Sequence, residues 1–376
     1  MKPRRILQFG TSRFLQAHVD LFAHEANAVG RDAIEITVTK ISPDSSRAHR
    51  VGALAVPGGF RVELRGLHGG SVVERTVQVR SVKRALTAET EWPRLVDIFA
   101  EDTDLVVSNS GDEGYRLSER DGEVAGDGLR APVSFPAKLA SLLIARWRRT
   151  ARGLSIFPCE LVNRNGDALR AVVEEAAIRC GAPPAFRKWL SSDVRFVNTL
   201  VDRIVSEPIE PAGAVAEPYA LWAIEGMQAG DAPFEHLAVV VTPDLERYER
   251  LKLHILNLGH TVLADRWLAG GAAAMTVGEA VADPAYRAYL DLVFEQEVLP
   301  GFAARGLEVE ARDYMRTTME RFANPFLKHR LADIAQNHSM KVVRRIGGFR
   351  DWATSAGHAV EMRRLDEICE RSASRR

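Results

Sequence analysis

Four polar residues in the run from Tyr248 to His260 have the types and spacing to move a proton and to hold an oxygen that gains negative charge. At about 100° per residue, with Lys252 at 0°, Glu249 falls near 60°, His260 near 80° and Asn257 near 140°, so the four share one side of a helix. Leu251, Ile255 and Leu258 fall on the other side. Apolar residues there predict a helix covered on both sides, with its polar cluster facing an interior cleft. A lysine desolvated in such a cleft has its ammonium form disfavoured and can serve as an acid or base near neutral pH. Asn257 and His260 can each donate an N–H to an oxyanion. The same spacing also fits plain helix pairing, with Lys252 bonded to Glu249 and the other two as satisfied core polars.

The first segment supplies a second candidate. Ile6 to Phe9 reads as a strand, Gly10 as a tight turn and Thr11 to His18 as the start of a helix. Glycine lets backbone approach a phosphate, and a helix start offers free N–H groups. This is half of a dinucleotide fingerprint, because Ser12 stands where the full pattern has glycine. An ordinary strand-to-helix turn remains the alternative.

The elements that must position these groups can be read from the patterning. Glu35 to Ile41 is β-branched enough for a second strand, and Leu105 to Ser110 is an apolar run ending in Ser108, Asn109 and Ser110. Small polar residues at a strand end suit the carboxyl edge of a parallel sheet, where ligands bind. Phe60–Leu64 and Ser71–Val79 straddle His68, Gly69 and Gly70 and predict an inserted hairpin. A helix over Pro136–Arg149 and a strand over Leu154–Pro158 complete an alternating α/β pattern. From about residue 244 only long amphipathic patterns appear, over Arg247–Leu268, Pro284–Phe302 and Arg312–Ile334. The expected architecture is α/β: a doubly wound Rossmann-type domain over 1–243, then an all-helical domain over 244–376. Cys159–Asp167 and Asn198–Ile204 read as polar breaks between the two.

Composition excludes several classes. Lys+Arg and Asp+Glu are balanced at 50 each, which gives no electrostatic reason to expect nucleic acid or an anionic membrane as partner. The three cysteines, Cys159, Cys180 and Cys369, are odd in number and far apart, so neither a disulfide framework nor a zinc site is expected. No run approaches the roughly 20 apolar residues of a membrane span, and a cytoplasmic protein is the expectation. His18 and Cys159 are read as structural.

Six blocks in order carry a resemblance: the stretch from Phe9 to His18, Ser108 to Tyr115, Pro158 to Gly166, Val201 to Ile204, the Lys252/Asn257/His260 spacing, and Arg321 to His329. Together they resemble the polyol-specific long-chain dehydrogenases, the mannitol dehydrogenase family, from residue 6 to about 345. The resemblance implies hydride transfer between a nicotinamide and a ketone carbon. Lys252 would be the acid–base group, Asn257 and His260 would bond the carbonyl oxygen, and no catalytic metal would be used. It implies cofactor contacts from Phe9, Gly10, Thr11, Ser12, Phe14, Ser108, Asn109 and Ser110, and substrate contacts from Asn165 and Asp202. Arg321 and Lys328 could supply cations for a sugar-acid carboxylate.

Within that family, Pro158-Cys159-Glu160-Leu161 and Arg203-Ile204-Val205 look most like the members that act on hexuronates, of tagaturonate/altronate or fructuronate/mannonate type. Mannitol-type members have Cys-Asp-Asn where this chain has Cys159-Glu160-Leu161. Glu249 points the other way, standing where mannitol-type enzymes place a glutamate thought to gate proton movement. A neutral polyol/ketose dehydrogenase is therefore the alternative, and a non-catalytic nucleotide-binding protein a remoter one. NAD(H) is the expected cofactor, with NADP(H) open because Lys40, and Arg47 just behind Asp44, stand near the place where an acid usually meets the ribose. The expected partner is a small sugar acid or ketose, and the expected state a monomer or small homo-oligomer.

Overall fold

The computed structural model describes residues 3–30, 33–42, 48–111, 114–123, 130–355, 357 and 361–374. Asp44 and Arg47 lie outside them. The strands are β1 (Arg4–Phe9), β2 (Ile34–Lys40), β3 (Phe60–His68), β4 (Ser71–Val79), β5 (Val82–Thr87), β6 (Leu105–Ser108), β7 (Leu154–Pro158), β8 (Val194–Phe196), β9 (Thr199–Asp202), β10 (Val205–Pro208), β11 (Gly213–Ala216), β12 (Leu221–Glu225) and β13 (Val239–Thr242). The chain divides into two compact units. The first holds Met1–Leu64, Arg75–Ala216 and Ala220–Leu245, and the second Arg65–Glu74, Glu217–Tyr219 and Glu246–Arg376.

In the first unit a six-stranded sheet runs in the order β5-β2-β1-β6-β7-β8, with every neighbouring pair parallel. Successive residues of the inner strands are buried on opposite faces. Ile6, Val107 and Phe157 join one core cluster, while Leu7, Val106 and Ile156 join the other. Both faces are thus covered, as a doubly wound sheet requires. The strand order reverses between β1 and β6, which is the crevice where such sheets bind ligands.

Two further sheets add to what patterning reveals: β10-β11-β3-β4 and β13-β12-β9. The expected hairpin exists, but β11 extends it by pairing parallel to β3. The segment Asn198–Ile204, read as a polar break, carries β9 and corrects that reading. Its Leu200 and Val201 alternate between polar ends and pair with β12, so four residues suffice for a strand.

The second unit is helical past residue 245, and its extended pairing there among the described residues is the isolated bridge Thr276–Arg330. A continuous helical run from Leu245 to Ala269 contains a π-helical stretch at Lys252–Asn257. The helix expected over Arg312–Ile334 instead ends at Phe322, because Pro325 stands three residues on and Asn324 bends the chain, its Oδ1 accepting from the Phe326 N–H at 2.9 Å.

His18 reports on the first unit's core. It is fully buried, packed against Phe14, Phe22 and Trp222, and its Nε2 donates to the Leu221 carbonyl at 3.2 Å. Burial first, then the Arg203 guanidinium, push its pKa from 6.5 down to about 3. The unfolded chain therefore takes up a proton that the folded one refuses. The stability this histidine contributes is full above 6.5 and is lost as pH falls from 6.5 toward 3. His18→Phe should flatten the fall in thermal midpoint between about pH 7 and about pH 5; an unchanged slope would remove His18 from the account.

Candidate active site

At the reversal point of the first unit's sheet, Phe9 pairs with Thr39 on one side and Ser108 on the other, so three strand ends lie level. Gly10 then turns with φ +114°, and a Cβ there would sit 2.5 Å from the Asn109 carbonyl oxygen. No other residue fits that approach. The Gly10 N–H donates to Thr39 (2.9 Å) and the Asn109 N–H to Phe9 (2.9 Å), which locks the two turns together. Ser12 caps the next helix, its Oγ accepting from the Leu15 N–H at 3.2 Å. That helix covers only Arg13–Gln16 before the chain restarts at Val19. Thr11 and Ser12 stay half-buried at this edge. The Phe9 side chain is fully buried against Phe135, so only its backbone reaches the edge, and Phe14 is committed to stacking on His18.

Glu160, just beyond β7, organises the second turn. Its carboxylate accepts from Ser108 Oγ (3.0 Å), Ser110 N–H (2.9 Å), Ser110 Oγ (2.8 Å) and the Tyr115 hydroxyl (3.1 Å). Asn109 Nδ2 donates to the Cys159 carbonyl at 2.9 Å. The three polar residues expected to meet a cofactor are thus first used to hold a shape. Burial, then the Glu160 charge, push the Tyr115 phenol upward, which keeps its proton on the bond to Glu160. Composition and spacing give no sign of this role, since Glu160 finds its donors about fifty residues back along the chain.

Asn165 is buried, and its Nδ2 donates to the carbonyls of Pro158 (3.0 Å), Glu160 (3.2 Å) and Thr199 (3.0 Å), while its Oδ1 accepts from the Thr199 N–H (2.9 Å). Its observed work is tying the end of β7 to the start of β9. Asp202 ends β9 and is buried. The neighbouring Arg203 donates to the Ala17 carbonyl and lies over the Phe22 ring at 5.5 Å. At the end of β2, Lys40 is buried and its ammonium donates to the Ser42 carbonyl.

In the second unit the helix carrying Glu249, Lys252, Asn257 and His260 corrects the angular reading. Over Lys252–Asn257 the backbone bonds span five residues rather than four, so residues five apart stack on one face. Asn257 lies one widened turn from Lys252 on that face, and His260 comes an ordinary three-residue step later. Leu251, Ile255 and Leu258 are buried in the helical core as expected. Glu249, Lys252 and Asn257 are half-buried, and His260 is buried. The Phe322 ring packs on the His260 imidazole at 4.5 Å, and His329 meets it edge-on at 5.0 Å. Gly259 permits this packing, since a Cβ there would lie 2.8 Å from Phe294 and 3.1 Å from Phe322.

His254, inside the wide turn, is not singled out by spacing. It is fully buried. Arg250 can only donate, so its contact at 3.3 Å makes Nε2 the acceptor and leaves Nδ1–H to donate to the Arg345 carbonyl at 3.2 Å. Burial brings the pKa down to about 4, and the ring is neutral at physiological pH.

The expectation that Arg321 offers a cation to a substrate carboxylate is corrected. Its Nε and Nη2 bind both oxygens of Glu217 (2.9 and 2.8 Å), Nη1 approaches the Tyr314 hydroxyl (3.4 Å), and Tyr219 covers the guanidinium plane at 4.3 Å. Both side chains of the pair are 2% exposed. Lys328 is exposed and keeps the candidacy. Among the described residues no group of three or more His, Cys, Asp or Glu could hold a metal ion, and no described helix is long and apolar enough to cross a membrane.

Comparison with known proteins identifies the family. The family model described as the mannitol dehydrogenase Rossmann domain matches residues 4–236, and that of the mannitol dehydrogenase C-terminal domain matches 244–348. The chain belongs to the mannitol dehydrogenase family. It is an oxidoreductase. Curated relatives include altronate oxidoreductases of Halalkalibacterium halodurans, 33% identical over 95% of this chain and 72% of that protein, and of Klebsiella pneumoniae, 32% identical over 92% and 74%. The fold is shared with a solved D-sorbitol dehydrogenase (TM-score 0.77, 17% identity, 94% of this chain and 77% of that one). It is shared too with Pseudomonas fluorescens mannitol 2-dehydrogenase in ternary complex with NAD and D-mannitol (0.72, 20%, 97% and 77%).

The Gly10 turn is directly testable. Gly10→Ala combines a left-handed backbone with a clash against the Asn109 carbonyl, and should cost about 2 kcal/mol or more in urea unfolding. A stability within error of the parent would mean that the two turns are not locked as described.

Proposed function

We propose that the protein interconverts a keto sugar acid and its hydroxy acid, of tagaturonate/altronate or fructuronate/mannonate type, using NAD(H). The observation that carries this reading is the alignment of Lys252 and Asn257 across the wide turn, with His260 one step further. Altronate oxidoreductases among the relatives supply the substrate class.

The cofactor supplies the hydride when bound, and the chain's residues do the rest. Asn257 and His260 donate hydrogen bonds to the substrate carbonyl oxygen, and Lys252 Nζ gives that oxygen its proton in reduction or takes it in oxidation. Glu249, one turn before Lys252, exchanges protons with it. The rings of Phe322 and His329 hold the His260 imidazole in place. Gly10, Thr11 and Ser12, with the Glu160-held turn of Ser108, Asn109 and Ser110, receive the dinucleotide, and Asn165 fixes the adjoining strand ends. Asp202 binds a substrate hydroxyl. NAD(H) is favoured by the ternary complex known for the P. fluorescens enzyme; the Lys40 ammonium beside Ser42 keeps NADP(H) as the alternative. The two domains of this reading are 1–243 for the dinucleotide and 244–376 for the chemistry.

A second reading has one observation behind it. Glu249 sits half-buried three residues before Lys252, as in mannitol-type enzymes, and favours a neutral polyol and ketose pair. The deciding assay is NADH and NADPH oxidation with tagaturonate, fructuronate, fructose and xylulose. Turnover confined to the two keto acids supports the proposal, and turnover of the neutral ketoses replaces it with the polyol reading. Lys252→Ala should lower kcat by about 10²–10⁴-fold while NADH still binds; near-parental turnover would sink the mechanism. Lys328→Ala should raise KM for the keto acids about tenfold or more, and an unchanged KM would clear Lys328 of carboxylate recognition.

A further inference from the structure

Arg345 is a half-buried cation that neither the motif spacing nor the family resemblance picks out. It lies in another π-helical stretch, Val342–Gly347, whose residues pack against those of the Lys252–Asn257 turn. Its Nη1 donates to the Asn257 carbonyl at 3.2 Å and to Thr261 Oγ1 at 3.1 Å. Thr261 Oγ1 in turn donates to the same carbonyl at 2.9 Å. In the reverse direction, His254 Nδ1–H of the first wide turn donates to the Arg345 carbonyl at 3.2 Å. The two turns are therefore clipped reciprocally, side chain to backbone, within four residues of Asn257.

Two features separate this from ordinary packing. Arg345 has no ion pair with a carboxylate among the described residues, and the groups acting on it are its burial and the like charge of Arg344. These bring its pKa to about 10, so it is still a cation at neutral pH, partly desolvated against a carbonyl and a hydroxyl. Its target is also particular. Asn257 is the last residue of the widened stretch, and both side-chain donors converge on its own carbonyl.

We infer that Arg345 is a positioning residue, fixing the backbone at Asn257 through its carbonyl so that the Asn257 amide is aimed at the substrate oxygen. Thr261 is the second half of the clip. This inference rests on the reading of Asn257 as a carbonyl donor. In this role Arg345 acts through the Asn257 backbone, so its removal changes the rate through geometry, where a misplacement of about 1 Å is worth up to about 100-fold.

The test uses the full-length enzyme and whichever keto sugar it turns over. Arg345→Met should lower kcat about tenfold or more, with the NADH dissociation constant changed less than about twofold, since the binding turns lie in the other unit. Arg345→Lys, whose ammonium can still donate to the Asn257 carbonyl, should restore most of the rate. A parental kcat in Arg345→Met, or a Lys variant as slow as Met at the same thermal midpoint, overturns the clip. Should Arg345→Met fail to fold, Thr261→Val removes the other donor with little change of shape; a several-fold loss of kcat is then expected, and an unchanged kcat overturns the inference. Lys252→Ala separates the two levels. Its survival with normal turnover defeats the reading of the site, whereas a dead Lys252→Ala beside a normal Arg345→Met defeats the clip alone.

Discussion

A widened helical turn imposes a constraint that the rest of the second unit is built to meet. In an unbroken α-helix Asn257 would stand about 140° around from Lys252. The five-residue bonding over Lys252–Asn257 closes that angle, and it does so without turning the apolar residues out of the core, since Ile255 and Leu258 remain fully buried. The cost is a backbone whose carbonyls change partners partway along. Side chains meet it: Thr261 and Arg345 at the Asn257 carbonyl, and His254 returning a bond to Arg345. His254 donates from Nδ1 to the Arg345 carbonyl, while its Nε2, kept unprotonated by burial, accepts from Arg250.

The first unit solves a similar problem by other means. Its sheet brings three strand ends level, but level ends alone do not shape a turn. Gly10 and Asn109 approach so closely that a side chain is sterically excluded, and the turn after β6 is then gathered by one carboxylate. Glu160 has both oxygens committed to hydrogen bonds from Ser108, Ser110 and Tyr115, which is the condition under which a buried carboxylate is tolerated. In both units polar side chains are spent on backbone geometry before any ligand is considered.

This explains which parts of the structure are legible in the sequence. The strand Leu154–Pro158 and the glycine turn after Phe9 are legible because apolar runs and a turn residue are local signals. So is the change to helix near residue 244, where period-2 alternation stops. The wide turn is not legible: Lys-Leu-His-Ile-Leu-Asn carries no proline or glycine to mark it, and the arginine that bonds its last carbonyl lies 88 residues away. β9 escapes notice for the opposite reason, its four residues being too few to show alternation. The donors of Glu160 lie 45 to 52 residues away, and the partner of Arg321 lies 104 away. No spacing rule reaches that far, so residue types correctly marked as polar and special are given the wrong neighbours.

Arg321 is bound by the strongest of these distant pairings. Breaking one partner of a buried ion pair costs about 3–5 kcal/mol, so Arg321 and Glu217 must be kept together whatever the substrate is. Around them the same segment anchors other pieces of the second unit. Glu320 accepts from the N–H groups of Gly69 and Gly70 at 3.2 and 2.8 Å, and Asn324 Nδ2 donates to the Arg65 carbonyl at 3.1 Å. A Cβ on Gly66 would lie 2.9 Å from that amide nitrogen, so the strand can approach only as glycine. With Arg321 and Asn324 fixed in this way, Phe322 between them is held against His260, and His329 after the bend closes on the same ring. The stretch from Arg321 to His329 is thus best understood as the scaffold of the imidazole. A demand for a buried pair and a fixed ring is the same for a sugar acid and a neutral ketose. On the proposed reading, the discrimination between them then falls to groups with freedom to meet a ligand, of which the exposed Lys328 is the cation this segment supplies.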